Sequence, residues 1–322
     1  MTHGGGWLTV TGVPVSQAND LLGASYQLYR YTGTNKTILR TVGYMLPAAL
    51  HAHVQTVVPT TYFSPRKLQQ IPRKRSREEA AAMVNATSGE LVTVLSSRAN
   101  GEVTPEILRR LYKTEAYVPA ATEQNVLGIS GYKNDSPSEE DLTEFMKDYR
   151  PDTEDAKYTV EPINRGIYDP DHPTIEGNLN IQYAEAMAYP TPHIYYITGG
   201  EMEWSESSWK PIPGDADLEW FKYILNKPKI PQTISISYGN DEPGLPVEYA
   251  TALCDLFLQL GARGVSVLAG SGDDGVGEGD CKDEDGEVLF LPLFPATCTC
   301  GVSSLLCKQY TRQPRIRRSV RH

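Results

Sequence analysis

The sequence predicts an α/β protein: a parallel sheet with helices on both faces, preceded by a smaller α+β unit. Three observations carry that expectation. From Thr104 onward, short apolar runs alternate with helix-length amphipathic stretches. Most of those runs are apolar on both faces, as strands are when helices cover both sides of a sheet. Residues 7–62 follow a separate strand–helix–strand–strand–helix–strand order of the ferredoxin-like kind, its first elements expected to be missing.

In the first unit, Trp7-Leu8-Thr9-Val10 reads as a strand ending at Gly12, and Val15 to Leu22 as a helix. Ala24 to Tyr31 alternates as a half-buried strand, and Ile38 to Tyr44 is a second strand after the Asn35-Lys36 turn. Pro47 to Val54 is a short helix and Val57 to Phe63 is extended. Residues 64–103 then have linker composition. Arg66, Lys67, Arg73, Lys74, Arg75 and Arg77 crowd together with Pro65 and Pro72. This basic run has three readings: a solvated tether, a processing site at Lys74-Arg75, or a nuclear signal, the last fitting its neighbours poorly.

In the larger unit, Thr104 caps a helix that begins with Pro105 and runs to Tyr112. Asn125 to Gly131 is an apolar strand, and Ser138 leads a helix to Tyr149 with Leu142 and Phe145 inward. Tyr158 to Pro162 is a strand. Next come His193–Thr198 (strand), Asp215–Leu225 (helix), Thr233–Tyr238 (strand), Pro246–Leu260 (helix, stopped by Gly261) and Val265–Ala269 (strand). In such sheets chemistry gathers at the C-terminal ends of strands. The turns Gly199-Gly200, Ser237-Tyr238-Gly239 and Ser271-Gly272-Asp273 fall there.

Between two of those strands lies Thr174-Ile175-Glu176-Gly177-Asn178-Leu179-Asn180-Ile181-Gln182-Tyr183. Pro173 and Thr174 mark a helix start, with Thr174 as the cap. Glu176 and Asn180 are four apart, so a helix stacks a carboxylate and a carboxamide on one face. Leu179, Tyr183 and Met187 recur at the same spacing and are expected to turn toward a core.

At 322 residues the chain has room for two modest domains, and its net charge of −10 argues against a nucleic-acid binder. No apolar run is long enough to span a bilayer. No signal peptide is visible at Met1 to Gly6, so either the protein is cytosolic or its first residues are missing. Of the five cysteines (Cys254, Cys281, Cys298, Cys300 and Cys307), no pair has CxxC spacing, which argues against a thiolate metal site. Cys281 and Cys298 are expected to close a surface loop in an oxidising compartment. Sequons at Asn35, Asn85 and Asn134 fit a secreted protein. The acids Asp273, Asp274, Glu278, Asp280, Asp283, Glu284 and Asp285 are dense enough to suggest calcium. Gly275 and Gly279 fall at the wrong places for an EF-hand, so the run reads as an exposed acidic loop. After Cys300 the tail is basic, with no strand or helix assigned.

Several segments together resemble the sedolisin family, the serine-carboxyl peptidases, in its fungal tripeptidyl-peptidase branch. Trp7 to Tyr26, Arg40-Thr41-Val42-Gly43-Tyr44-Met45-Leu46-Pro47 and Pro59-Thr60-Thr61-Tyr62-Phe63 look like part of the family's inhibitory prodomain. Thr104 to Pro119 looks like the start of the mature enzyme. Glu176 to Tyr183, Ile234-Ser235-Ile236-Ser237-Tyr238-Gly239 and Ser271-Gly272-Asp273 look like motifs of the catalytic domain.

The resemblance implies a subtilisin-like sheet, incomplete here. The organisation it implies is a partial prodomain over 1–63, a linker with a processing region over 64–103, the N-terminal part of a peptidase domain over 104–300 and a divergent basic tail over 301–322. It implies catalytic positions at Glu176 (general base), Asn180 (where the family has an orienting Asp) and Asp273 (oxyanion stabiliser). Paired carboxylates that share a proton suit work at acid pH. Asn180 breaks that pair, and its amide is expected to donate to Glu176 and favour the ionised form. Asp274 is a further departure, a second carboxylate beside Asp273. The family's nucleophilic Ser, in a Gly-Thr-Ser motif, and its calcium site are expected downstream of the last residue here, so no metal ligand is assigned. The implied activity is release of N-terminal tripeptides at acid pH, expected to be absent from this chain as it stands. The implied partners are a peptide or protein substrate and the chain's own prodomain, with no nucleic acid and no membrane, in an extracellular setting. The alternative is a non-catalytic protein whose prodomain binds or inhibits an intact family member.

Overall fold

The computed structural model describes residues 2–4, 6–30, 37–61, 63, 67–68, 103–132, 135–153, 155–200, 215–272, 290, 292–298 and 302–304. In the first unit, β1 (Thr2–Gly4) pairs antiparallel with β2 (Trp7–Thr9). Helix α1 (Val15–Leu22) follows, closed by Gly23 at φ 52°, a left-handed position that glycine takes without strain. β3 (Gln27–Arg30) pairs antiparallel with β4 (Thr37–Arg40), so the strands lie in two hairpins. The helix expected over 47–54 is a single 3-10 turn, Ala48–Leu50, and the described residues after it, expected to be extended over 57–63, run through turns and bends without joining a ladder. Tyr26 Oη donates to the Pro59 carbonyl at 2.7 Å, and the Thr41 amide to the Thr60 carbonyl at 3.1 Å, which ties that stretch down.

Lys67–Leu68 forms the two-residue strand β5. Helix α2 (Pro105–Leu111) starts as its sequence dictates: Thr104 Oγ1 accepts from the Ile107 amide, with Pro105 in the first turn. Then come β6 (Leu127–Tyr132), α3 (Glu139–Tyr149, capped by Ser138), β7 (Tyr158–Ile163), α4 (Ile175–Ala188) and β8 (His193–Thr198). They are followed by α5 (Ala216–Asn226, capped by Asp215), β9 (Thr233–Ile236), β10 (Tyr238–Asp241), α6 (Val247–Ala262), β11 (Ser266–Ala269), β12 (Leu293–Phe294) and β13 (Val302–Ser304). Six strands form one sheet in the order β13-β11-β9-β6-β8-β7, every neighbouring pair parallel.

Strand β8 shows why helices cover both faces. Tyr195 and Ile197 turn into a cluster with Leu142 and Met146 of α3 and Ile181 and Ala186 of α4. Tyr196 turns the other way, into a cluster with Leu218, Trp220 and Phe221 of α5 and Leu253 and Phe257 of α6. Each such buried side chain contributes about 1.5–3 kcal/mol by leaving water. Trp7 and Val58 of the first unit pack against the second cluster, which joins that unit to the sheet domain.

Three expectations are corrected. Cys298 is bonded to Cys254 on α6, with the two Cα atoms 5.5 Å apart, and not to Cys281, which lies outside the described residues. Residues distant in sequence meet here because α6 packs beside the 292–298 segment, which spacing alone cannot reveal. Helix α6 runs through Gly261 to Ala262, and the chain turns away at Gly264, φ 79°. One glycine costs a helix only about 1 kcal/mol, too little to stop it there. On α4 the buried stripe is Glu176, Gly177, Ile181, Glu185 and Ala186, while Leu179 is 43 % exposed and Tyr183 and Met187 are half-buried. The tail to which no element was assigned contributes its first residues, Val302–Ser304, as the edge strand of the sheet.

Candidate active site

The C-terminal ends of the parallel strands bring together the start of α4, the segment after β6 and the junction of β9 with β10. Helix α4 is fixed at that end by its cap: Thr174 Oγ1 accepts from the Gly177 amide at 3.1 Å, and the Thr174 amide donates to the Ser136 carbonyl at 2.9 Å. Gly177 lets the helix sit against Ser136 and Pro137; a Cβ there would come within 2.7 Å of the Ser136 carbonyl carbon. Asn178 locks the same contact, accepting from the Ser138 amide at 2.9 Å and donating to Asp141 at 2.6 Å. The first turn of α4 is therefore held rigidly over the strand ends.

On that turn, Glu176 and Asn180 share one face, as their spacing requires. Glu176 is buried, 7 % exposed. Asn180 Nδ2 donates to Glu176 Oε1 at 3.1 Å, the bond expected from the sequence. On the other side, Asn180 Oδ1 accepts from Ser237 Oγ at 2.6 Å. Ser237 stands where β9 ends and β10 begins. The chain Glu176–Asn180–Ser237 thus joins a helix to a strand end 57 residues away in sequence. The sequence marked Ser237 as part of a motif but gave it no role; only the parallel register of β9 beside β6 brings it to α4.

Behind these residues lies a second polar layer. Tyr238 Oη donates to the Asp135 carboxylate, and the Tyr238 ring meets Tyr132 edge-on at 5.1 Å. Tyr195, wholly buried on β8, lies among Asn180, Asp135 and Glu176, with no hydrogen bond of ordinary geometry at its hydroxyl. Burial foremost, then the charges of Asp135 and Glu176, holds its proton well above the usual phenol range. The sequence marked Tyr238 as part of a motif without a role and did not pick out Asp135, because nothing in their spacing marks them as partners. Asp273, the expected oxyanion residue, lies outside the described residues, as do Asp274 and the rest of the acidic loop.

Strand β10 leaves the parallel sheet and enters a small antiparallel one, ordered β12-β10-β5. One edge of β10 takes β12, with Asn240 opposite Phe294. The other takes the linker segment β5, with Tyr238 opposite Leu68 and Gly239 opposite Lys67. So a stretch of the chain's own backbone lies as an extended strand directly after Ser237. Backbone ladders of this kind are how sheet edges hold peptides without reading most of their side chains.

Comparison with known proteins bears on the family of the chain. Residues 1–63 match the model described as "Pro-kumamolisin, activation domain". The probable tripeptidyl-peptidase SED3 of Arthroderma benhamiae is 31 % identical over 91 % of this chain and 52 % of its own length. Tripeptidyl-peptidase sed4 of Aspergillus fumigatus is 32 % identical over 88 % of this chain and 48 % of its own. The chain belongs to the sedolisin family. It spans about half the length of the curated relatives it matches. Among solved structures, a Pseudomonas sedolisin, described as a serine-carboxyl proteinase in complex with pseudo-iodotyrostatin, aligns at a TM-score of 0.43 and 17 % identity, over 62 % of this chain and 52 % of that one.

Among the described residues no group of three or more His, Cys, Asp and Glu side chains converges. Among the described residues no helix is long and apolar enough to cross a membrane.

Proposed function

We propose that this chain carries the base side of a serine-carboxyl peptidase site of the tripeptidyl-peptidase type. In this reading the N-terminal end of a polypeptide lies along β10, and the chain's own activation unit and linker are its first partner. The observation that carries it is the antiparallel pairing of Lys67–Leu68 on Tyr238–Gly239, next to the chain from buried Glu176 through half-buried Asn180 to half-buried Ser237. A polypeptide substrate would take the same backbone ladder in place of β5. Glu176 is the base that would accept a hydroxyl proton as an acyl-enzyme forms. Ser237 is not that hydroxyl: it donates to an amide oxygen, which is no base, and stands one residue beyond Glu176's reach through Asn180.

The neutral Asn180 distinguishes this site. A carboxylate in its place would share a proton with Glu176 and tune both for acid. An amide gives Glu176 a fixed donor and no shared proton, so hydrolysis is expected to be slower than in an intact relative by about 100-fold or more. The same residue favours a second reading, in which the chain is non-catalytic and its activation unit binds and inhibits an intact family member. The Cys254–Cys298 bond supports an oxidising, extracellular setting for either.

Binding of a fluorescent hexapeptide with a free N terminus, read by anisotropy at acid and neutral pH, tests the first reading. Saturable binding that weakens when the N terminus is acetylated is the expected result, and no binding at either pH overturns it. Turnover matching that of an intact relative would overturn the consequence drawn from Asn180. For the second reading, the full chain is added at micromolar concentration to an active relative; unchanged peptidase rates discard it.

A further inference from the structure

We propose that Ser237 is a positioning residue for Glu176, acting through the side chain of Asn180. This rests on Glu176 as the base of the proposed site. It follows from what an amide can do that a carboxylate cannot. Asn180 has one accepting and one donating end, and each is matched: Nδ2 donates to Glu176 Oε1 at 3.1 Å and Oδ1 accepts from Ser237 Oγ at 2.6 Å. The Ser237 hydroxyl is the group that favours this way round. With Oδ1 held by a donor, the NH2 end must face the carboxylate, which suits the ionised Glu176.

Adding a proton reverses the preference. As pH falls, a hydronium ion gives its proton to Glu176 Oε1 and leaves as water, and the carboxyl then becomes a donor. It is best met by Asn180 Oδ1, so the amide turns over, its Nδ2 donates to Ser237 Oγ, and the Ser237 hydroxyl hydrogen swings to another acceptor. No bond other than O–H at Glu176 is made and the charge balances. The state of one proton on α4 is thereby written into the direction of a hydroxyl at the end of β9, beside the strand that takes the peptide. Aspartate at 180 would lack this sense of direction, because both its oxygens accept when ionised.

The charged and titratable groups packed around Glu176 leave this chain as the responsive one. From β8 comes Tyr195, which burial keeps protonated. From the segment after β6 comes Asp135, bound by Tyr238 of β10. On α3, Asp141 is engaged by Asn178.

The test is a titration of the full chain with 13C-labelled glutamate and 15N-labelled asparagine side chains, followed by NMR. In Ser237→Ala the Glu176 midpoint is expected to rise by about half a pH unit or more, since the amide loses the partner that aims its donor. Ser237→Thr, which keeps the hydroxyl, is expected to titrate as the unaltered chain. Asn180→Asp is expected to replace the single step by two coupled ones. Equal midpoints in the unaltered chain and Ser237→Ala overturn the proposal. Should Ser237→Ala fail to fold, the unaltered chain still decides: the Asn180 amide signals must shift with the Glu176 midpoint, and signals flat across it overturn the proposal. Peptide binding is read separately, so loss of either result leaves the other standing.

Discussion

Helix α4 carries two buried carboxylates nine residues apart in sequence, and they are satisfied in opposite ways. Glu176, at the strand C-terminal ends, is paired with a neutral amide. Glu185, at the other end of the same helix, is 1 % exposed and faces His193 at the start of β8, with Oε1 and Nδ1 2.9 Å apart. That approach is not aligned as a good hydrogen bond, and His193 Nε2 has no partner among the described residues. Where a carboxylate faces a base and no cleft, burial is complete and the pair belongs to the packing of α4 on the sheet. Where it faces an amide at a strand end, 7 % of the residue stays exposed and its hydrogen-bonded partners reach the end of β9. The same residue type on one helix thus separates structure from chemistry by its neighbour and by which end of the sheet it meets.

The comparison breaks most sharply at the lower pair. His193→Leu leaves Glu185 buried without its counterpart and is expected to cost about 3–5 kcal/mol in denaturant unfolding. The double change Glu185→Leu with His193→Leu should recover most of that loss, because an apolar pair of similar volume replaces a buried polar one. A double variant as unstable as the single one would show that the pair does more than fill the core. At the upper pair the expected loss is smaller. Asn180→Leu removes one donor from a carboxylate that remains close to the cleft, for about 1–3 kcal/mol. A loss at Asn180 larger than at His193 would reverse the assignment of roles.

The same contrast explains what the sequence revealed. The caps at Thr104 and Thr174 and the helix start at Ser138 were legible, because a cap is a local bond between residues three apart. Five strands of the parallel sheet were legible from their apolar runs, and the edge strand Val302–Ser304 was not. The inward face of α4 was not: a glycine and two glutamates occupy its buried stripe, while Leu179 lies outside it. Gly177 is there for close approach to Ser136 and Glu185 for His193, neither of which is encoded in apolar periodicity. Glu176 and Asn180 could be read as partners because four residues on a helix fix their distance. Ser237, Asp135 and Cys254 could not, since each meets its partner only through strand order or helix packing.

A third carboxylate supplies the exposed limit of the comparison. Asp152 accepts from Arg150 Nε at 2.9 Å and from Nη2 at 3.0 Å, and Arg150 also donates to the Ala186 carbonyl of α4. The hydrogen bonds from Arg150 hold the Asp152 carboxyl below its ordinary range. A depressed carboxyl stabilises the fold above that range and ceases to do so as pH falls through it. Its side chain is 66 % exposed, so solvent screens most of the gain. Asp152→Asn is therefore expected to cost only about 0.2–1 kcal/mol at neutral pH. The difference should vanish at a pH far enough below the ordinary carboxylate range that the unaltered chain is protonated as well. Unfolding curves at the two pH values check this. A penalty that persists unchanged in acid would mean that Asp152 acts by shape, as a prop for Arg150 under α4, and that exposure alone does not rank the three carboxylates.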